Sequence, residues 1–287
     1  MKKFGDRRDG KKIRDLNGMM YVMTDIKRKR ADREVYIDYP IDVTELLKYK
    51  EKLGKKKDIH VTIFHLFSTG IAKVIYNRPQ LNIFIMNGKF YQRNDVVLSF
   101  VAKTEFTDTA EELMQMLKVE ENDNIFTLSE KISGNVKKAR ASSQTGGDKL
   151  VSFVGHMPKI FRRPIVSIFQ FLDRHDLLPA DLANELLYYS TVILSNIGAI
   201  GCTGGIYHNI TDFGTNSILA TMGKIYKNEI VKEDGSKEIR DFCDFGMTLD
   251  EGIADGFYMI KSMQLFQYIM NNPKLLEGNA NEKIEIK

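Results

Sequence analysis

Apolar and polar positions follow two different periods along the chain, and each period predicts one type of element. The pattern of Glu34–Val43 predicts a β-strand, and Asp42 or Thr44 can cap the helix that follows. In His60–Pro79 the apolar residues recur at helical spacing, which predicts a helix that stops before the proline. The chain therefore begins with both strand and helix patterns.

The middle of the chain continues this mixture. Asn87-Gly88 interrupts an alternating stretch, and this dipeptide predicts a tight β-hairpin. Asp95–Phe106 is predicted to be a further strand. Two helices are then predicted, near Thr109–Val119 and Thr127–Arg140.

The stretch His156–Leu187 is rich in apolar residues and carries basic residues near its start. One interpretation is a helical pair packed on a sheet, in which Pro164 breaks or begins a helix. The other is an amphipathic element that faces lipid or lines a substrate channel. We favour the helical pair, because stretches that combine apolar and basic residues are common.

The last third of the chain predicts three strands and a closing helix that runs from about Gly256 to Asn271. Turn residues join the last two strands, so hairpin connections dominate. The predicted fold class is α/β, with a mixed, largely antiparallel sheet flanked by helices. The three strands are Tyr188–Gly198, Asn216–Tyr226 and Glu238–Asp250.

Composition narrows the class of protein. With 287 residues, 43% hydrophobic and 28% charged, the chain has the make-up of a globular protein. Its start lacks the apolar core of a signal peptide, and no run is long enough to span a membrane. Two cysteines far apart in sequence fit a reducing compartment, so we expect a cytoplasmic location.

The positive charge is concentrated near the start. Residues 1–57 hold 18 basic and 10 acidic residues, a net charge of +8, whereas the whole chain carries +4. A solvated face or an attraction for an anionic cofactor explains this excess. Nucleic acid is not the expected partner, because no aromatic residues interleave the basic runs.

Common catalytic motifs are absent from the sequence. The glycines of Ser195–Gly205 do not have dinucleotide-loop spacing, and a glycine-permitted bend after a strand explains them better. No metal-ligand spacing links the five histidines to other ligands, so no metal is expected. Of these histidines, His208 borders the glycine stretch and is kept as a candidate site residue.

Several short stretches, in order and at matching spacing, carry a family resemblance over about residues 36–276. Together they resemble the catalytic domain of the dihydrolipoamide acyltransferases of 2-oxo acid dehydrogenase complexes, a domain that shares its fold with chloramphenicol acetyltransferase. The stretches are YPIDVTELLKYKEKL, HLFSTGIAKVIYNRPQLN, TVILSNIGAIG, ATMGK, TLDEGIADGF and NNPKLL.

The resemblance implies a homotrimer whose active sites lie between subunits, with coenzyme A and the acyl acceptor entering a channel from opposite ends. By position, Ser195 would stabilise the oxyanion, Thr221 would lie nearby, and Asp255 would be the structural aspartate. In that family the aspartate pairs with an N-terminal arginine, and the candidates are Arg28, Arg30 and Arg33.

One position departs from the family. The family motif is His-x-x-x-Asp-Gly, and its histidine is the general base, but here Glu251 stands four residues before Asp255. A glutamate is a weak base at neutral pH unless burial or a neighbouring carboxylate such as Asp250 raises its pKa. His208 is the alternative base.

Two functions are favoured at this point, and a nucleic-acid binder that uses the basic start of the chain is kept as a third, less favoured class. The first is a coenzyme A-dependent acyltransferase acting on an unknown thiol, hydroxyl or amine. The second is a non-catalytic trimeric scaffold or ligand-binding protein of the same fold. We divide the chain into a basic arm (1–35), one acyltransferase-like domain (36–280) and a tail (281–287), with no lipoyl domain.

Overall fold

Two β-sheets form the framework of the protein. The computed structural model describes residues 3–56, 60–103, 112–141 and 152–286. The strands are β1 (Gly10–Lys12), β2 (Glu34–Asp42), β3 (Ile83–Met86), β4 (Lys89–Arg93), β5 (Val96–Lys103), β6 (Glu112–Val119), β7 (Val192–Asn196), β8 (Ile218–Val231) and β9 (Lys237–Asp250).

The larger sheet is mixed and mostly antiparallel, which confirms the predicted fold class. Its six strands lie in the order β2-β9-β8-β7-β5-β6. Strand β7 runs parallel to both of its neighbours, and the other pairs are antiparallel. The smaller sheet has the order β1-β4-β3, so the first strand of the chain pairs with the predicted hairpin.

Helices cover one face of the larger sheet. They pack on alternate strand residues such as Ile41, Leu98 and Phe245, and this layer is the main hydrophobic core. None of the described helices is both long and apolar enough to cross a membrane. The helices are α1 (Gly18–Ile26), α2 (Thr44–Lys56), α3 (Ile63–Asn77), α4 (Ile125–Ala141), α5 (Lys159–Arg174), α6 (Ala180–Glu185) and α7 (Gly256–Asn271).

Local signals explain where several elements begin and end. Thr62 caps α3 by accepting a hydrogen bond from the backbone of His65. Asn87 and Gly88 both have positive φ, as the tight turn between β3 and β4 requires. The hairpin and the helix in His60–Pro79 are thus confirmed.

The helix predicted near Thr109–Val119 is wrong, because the described part of this stretch is strand β6. Its glutamate, leucine, methionine and lysine residues favour helices, but Leu117 and Val119 are buried at a spacing of two. Pairing with β5 therefore outweighs local propensity. Residues 104–111, which include the end of the predicted strand Asp95–Phe106, lie outside the described residues.

The stretch His156–Leu187 does form a helical pair, α5 and α6, as predicted. Pro164 neither breaks nor begins a helix, since α5 continues through it. Its position in the second turn limits the loss to one backbone hydrogen bond near the end of the helix.

Candidate functional site

A row of residues crosses the larger sheet on the face turned away from the helices. Ser195 on β7 pairs in register with Thr221 on β8, Thr221 with Gly246 on β9, and Gly246 with Asp38 on β2. Their neighbours at odd spacing point into the core, so these side chains share the opposite face. The structure therefore brings Ser195 and Thr221 together, on adjacent strands.

The glycine-rich stretch after β7 lies on this face. We call residues 197–210 the crossover segment. Asn196 caps a 3₁₀ turn at its start, and Gly201 and Gly204 have positive φ. Further along, a Cβ on Gly205 would lie 2.6 Å from the Cα of Gly246. The glycines therefore let this backbone rest directly on the sheet, as the predicted bend requires.

Thr221 holds the crossover segment in place. Its hydroxyl donates to the carbonyl of Ile206 at 2.8 Å and accepts from the Ile206 amide at 3.1 Å. The side chain is fully buried. In this arrangement the hydroxyl is occupied, so Thr221 acts within one chain as an anchor.

The hydroxyl of Ser195, unlike that of Thr221, is available to form a hydrogen bond with another molecule. It is half-buried, and its hydroxyl has no hydrogen-bond partner among the described residues. A free hydroxyl at the end of a buried strand can donate to an oxyanion on a bound molecule.

The crossover segment also determines where His208 lies. Tyr207 packs against Tyr36, with ring centroids 5.2 Å apart, and the amide of Ile210 donates to Glu34. Because Glu34 pairs with Asp250 across the sheet, the segment carries exposed His208 along β2 towards the end of β9. His208 therefore lies away from the Ser195 row, on the side of the sheet towards Glu251.

Glu251 lies just beyond the end of β9, at a cavity of about 540 Å³ between α1 and the turn that leads into α7. The cavity wall includes Met20 and Met23 of α1. The Glu251 side chain is 48% exposed, and its carboxylate accepts a hydrogen bond from Lys27 at 3.0 Å. An ammonium group therefore occupies one side of this carboxylate.

The carboxylate of the preceding residue, Asp250, is buried. Asp250 accepts two hydrogen bonds from the Arg33 guanidinium, at 2.7 and 2.8 Å, and its side chain is fully buried. Burial lowers the pKa of Arg33, but the hydrogen bonds and charge of Asp250 outweigh it, and the net pKa is raised. The charged pair fixes the end of β9 and the Glu251 backbone, whose amide donates to the carbonyl of Arg33.

Asp255 has a structural role, but it does not pair with an arginine in the described part of the chain. Its carboxylate caps α7 by accepting from the Tyr258 amide at 2.7 Å. The candidate arginines bind elsewhere: Arg33 pairs with Asp250, Arg30 donates to the carbonyls of Thr211 and Gly214, and Arg28 donates to the carbonyl of Asp25. The acidic partner of the arginine is therefore Asp250.

Ser195 and Glu251 do not meet within one chain. Gly246 lies on β9 in the same row as Ser195. Glu251 follows Gly246 by five positions along the chain, just past the end of β9. At the rise of a β-strand this is about 16 Å along the sheet. A single copy therefore cannot present both side chains to one reacting group.

Asp38 is a further candidate site residue, which the sequence patterns did not single out. Its carboxylate lies against Gly205 of the crossover segment, and burial together with nearby Asp244 raises its pKa. Asp244 in turn accepts from the hydroxyl of Tyr226 at 2.6 Å, and this bond, with burial, raises the pKa of Tyr226 to about 12. The sequence signal for Asp38 is its position between Ile37 and Tyr39. Both of these residues pack on the core, so Asp38 points to the opposite face of the sheet.

Comparison of the sequence with known proteins finds a distant relative. No protein-family model matches the chain. Over 240 residues, 82% of the chain, it is 20% identical to the lipoamide acyltransferase component of the branched-chain alpha-keto acid dehydrogenase complex of Bacillus subtilis. The chain spans 46% of the length of that relative, which is less than half.

Three solved structures share the fold. The cubic core of the pyruvate dehydrogenase multienzyme complex matches with a TM-score of 0.61 at 13% identity, over 93% of this chain and 94% of that one. Dihydrolipoamide acetyltransferase of Azotobacter vinelandii, studied for a serine, a histidine and an asparagine in its catalytic mechanism, matches with a TM-score of 0.61 at 12% identity over the same shares. Chloramphenicol acetyltransferase matches with a TM-score of 0.52 at 13% identity, over 91% and 98%.

These matches confirm the resemblance found in the sequence. The chain has the fold of the dihydrolipoamide acetyltransferase catalytic cores and of chloramphenicol acetyltransferase.

Proposed function

We propose that the protein is an acyltransferase that moves an acyl group between coenzyme A and a thiol, hydroxyl or amine acceptor. Its site is completed between copies of the chain, with Ser195 from one copy and Glu251 from another, in a homotrimer. The observation that carries the proposal is the unpartnered hydroxyl of Ser195, at a strand end of a fold shared with acyltransferases.

Three further observations support it. The Azotobacter enzyme was studied for a histidine and an asparagine four residues apart, and Glu251 and Asp255 have that spacing here. The separation of about 16 Å between Glu251 and the Ser195 row also argues for a site shared between copies. One of the matched structures is a multi-subunit core.

The proposed reaction follows from these side chains. Glu251 takes the proton from the acceptor, and the acceptor then attacks the thioester carbonyl carbon. The Ser195 hydroxyl donates to the oxyanion that forms. The intermediate collapses by breaking its carbon–sulfur bond, and the departing thiolate of coenzyme A takes the proton back from Glu251.

Lys27 is the group that must move or be displaced. Its ammonium donates to one oxygen of Glu251, and the acceptor needs access to that carboxylate. The pair is exposed, and such pairs hold their partners by about 1 kcal/mol or less, so an acceptor can replace Lys27.

A second candidate function is a non-catalytic trimeric scaffold or ligand-binding protein. The contacts that favour it are the occupied Thr221 hydroxyl and the ion-paired Glu251 carboxylate. In such a protein the cavity beside α1 would bind a ligand without turnover.

Release of free coenzyme A from acetyl-CoA and longer acyl-CoAs, with small thiol, alcohol and amine acceptors, distinguishes the two. The acyltransferase should release thiol, and Ser195→Ala and Glu251→Ala should each lower the rate by about 10²–10³-fold. His208→Ala should retain the rate, and Lys27→Ala should retain or raise it.

Other results would count against the assignment. Activity that survives Glu251→Ala but not His208→Ala makes His208 the base. Activity that appears only in Glu251→His supports the non-catalytic alternative. Absence of acyl-CoA binding by calorimetry contradicts the acyltransferase proposal itself.

A further inference from the structure

Helix α5 exposes an apolar stripe to solvent. Ile160 is 75% exposed, Ile168 57% and Phe171 55%, and exposed Pro164 lies between them. These positions recur at intervals of three or four residues, so they form one line along the helix. The Phe171 ring contacts that of His175 just after the helix, with centroids 4.1 Å apart, and the stripe is otherwise open to solvent in the described part of the chain.

The opposite side of α5 attaches the helix to the body of the protein. Ile165, Phe169 and Leu172 are half-buried, and Asp173 is fully buried. Asp173 accepts from the Tyr189 hydroxyl at 2.6 Å and from the Gly214 amide at 2.9 Å. The helix is therefore fixed in one orientation, with its apolar stripe directed outward.

Basic residues border the apolar stripe. Arg163 and Arg174 are exposed and lie beside it on the helical wheel, exposed Lys159 lies further round the helix on the same side, and the only acidic residue of α5 is buried Asp173. At the C-terminal end of α5, Arg174 shares a cavity of about 470 Å³ with exposed Arg28 and Lys29, and exposed Asp25 and Asp212 also line it. The basic run of the N-terminal segment thus adjoins the basic border of α5.

We propose that α5 is a docking surface for an anionic lipid bilayer. The helix lies in the plane of the interface, with Ile160, Ile168 and Phe171 among the acyl chains and Arg163 and Lys159 at the headgroups. This combination of an apolar stripe, a basic border and no exposed acid is that of interfacial helices. The basic excess at the start of the chain then has a partner, namely the charged surface of the bilayer.

Charge favours a bilayer over the α5 helix of a second copy as the occupant. Two α5 helices that met across a two-fold axis would bring identical basic borders together, and like charges oppose such a contact. An anionic bilayer complements the same border along its whole length. This proposal does not depend on the acyltransferase activity.

The test is co-sedimentation of the full chain with vesicles of phosphatidylcholine alone and with vesicles that also contain phosphatidylglycerol. The chain should bind the anionic vesicles, and binding should weaken with salt. Ile168→Asp should lower the partition coefficient at least about tenfold. Lys159→Ala and Arg163→Ala should each lower it about fivefold.

Ile239→Asp is the matched control, because Ile239 is 67% exposed on β9, outside α5. This variant should bind vesicles as the unchanged chain does. Circular dichroism checks that each variant is folded, and light scattering measures its mass without vesicles.

Three results would overturn the proposal. The first is equal binding to neutral and anionic vesicles, or to neither. The second is an equal loss of binding in Ile239→Asp and folded Ile168→Asp. The third is a fall in oligomer mass on Ile168→Asp, which would assign the stripe to a second copy.

Discussion

At the scale of single residues, neighbouring acidic side chains at the end of β9 have opposite environments. Asp250 is buried and accepts two hydrogen bonds from Arg33, whereas Glu251 is exposed at a cavity and forms an ion pair with Lys27. Strand β9 ends at Asp250, and Glu251 is the first residue of the turn that follows, which is why the adjacent carboxylates differ so much. The first carboxylate is held inside the protein, and the second is exposed at the cavity.

The buried pair leads to a stability prediction. Arg33→Ala should lower the free energy of unfolding by about 3–5 kcal/mol, because Asp250 would keep a buried charge without its partner. Urea unfolding measures this directly. Lys48→Ala, which breaks the exposed pair with Glu45, is the control and should cost about 0.5 kcal/mol or less. A loss below about 1 kcal/mol for Arg33→Ala would contradict the structural role of the pair.

A buried histidine gives a pH-dependence prediction. Burial, with a smaller effect of nearby His60, lowers the pKa of His65 from 6.5 to about 4. As pH falls through this window, the unfolded chain takes up a proton that folded His65 does not, so stability decreases. Between about pH 6.5 and pH 5 the loss from this group should reach about 2 kcal/mol.

Urea midpoints of the unchanged chain and of His65→Gln across this pH range test the prediction. The variant should show a shallower decline, because it lacks the titrating group. His156→Gln alters an exposed histidine and should retain the original slope. Parallel curves for the unchanged chain and His65→Gln would exclude His65 as the cause.

At the scale of elements, the crossover segment determines the geometry of the polar face. It crosses from the end of β7 over β8 and β9 to β2, held by Thr221 near its middle and by Glu34 at its end. The close contact of Gly205 with Gly246 leaves no space for side chains between the segment and β9. The position of His208 is a consequence of this path.

Gly246→Ala should therefore displace the crossover segment. Its Cβ would lie 2.8 Å from the Cα of Gly205 and 2.9 Å from the Thr221 hydroxyl, so backbone must move. We expect a loss of about 1–3 kcal/mol of stability, measured by urea unfolding. Gly134→Ala, in α4 with open space around its Cβ, should instead stabilise the protein by about 0.5–1 kcal/mol. Equal effects of the two substitutions would contradict the contact.

Elements with strong local signals could be predicted from the sequence. The Asn87-Gly88 hairpin, α3 with its threonine cap and α7 before Pro273 depend on turn and cap chemistry within a few residues. Strand β6 could not be predicted, because its identity comes from pairing with β5 rather than from its own residues.

At the scale of the whole molecule, the sequence predicted the fold better than the site. Ordered short stretches identified the acyltransferase fold, and they predicted the Ser195–Thr221 neighbourhood. The partner of Arg33 could not be predicted, because Asp250 and Asp255 are both acidic and only the path of β9 into α7 distinguishes them. The distance between Ser195 and Glu251 likewise depends on strand register, which spacing in sequence does not reveal.

Two parts of the protein surface have proposed binding partners. The apolar stripe of α5 faces outward and is assigned to a bilayer, while the free Ser195 hydroxyl and Glu251 are assigned to contacts between copies. A trimer that leaves α5 on its outside satisfies both assignments.

One active site should take Ser195 and Glu251 from different copies of the chain. Co-expression of Ser195→Ala and Glu251→Ala chains tests it most directly, because mixed trimers can assemble sites in which both residues are intact. With equal amounts and random assembly, such sites form in about a quarter of cases, so thiol release should recover to about a quarter of the unmutated rate. A mixture no more active than the two variants measured separately would contradict the claim.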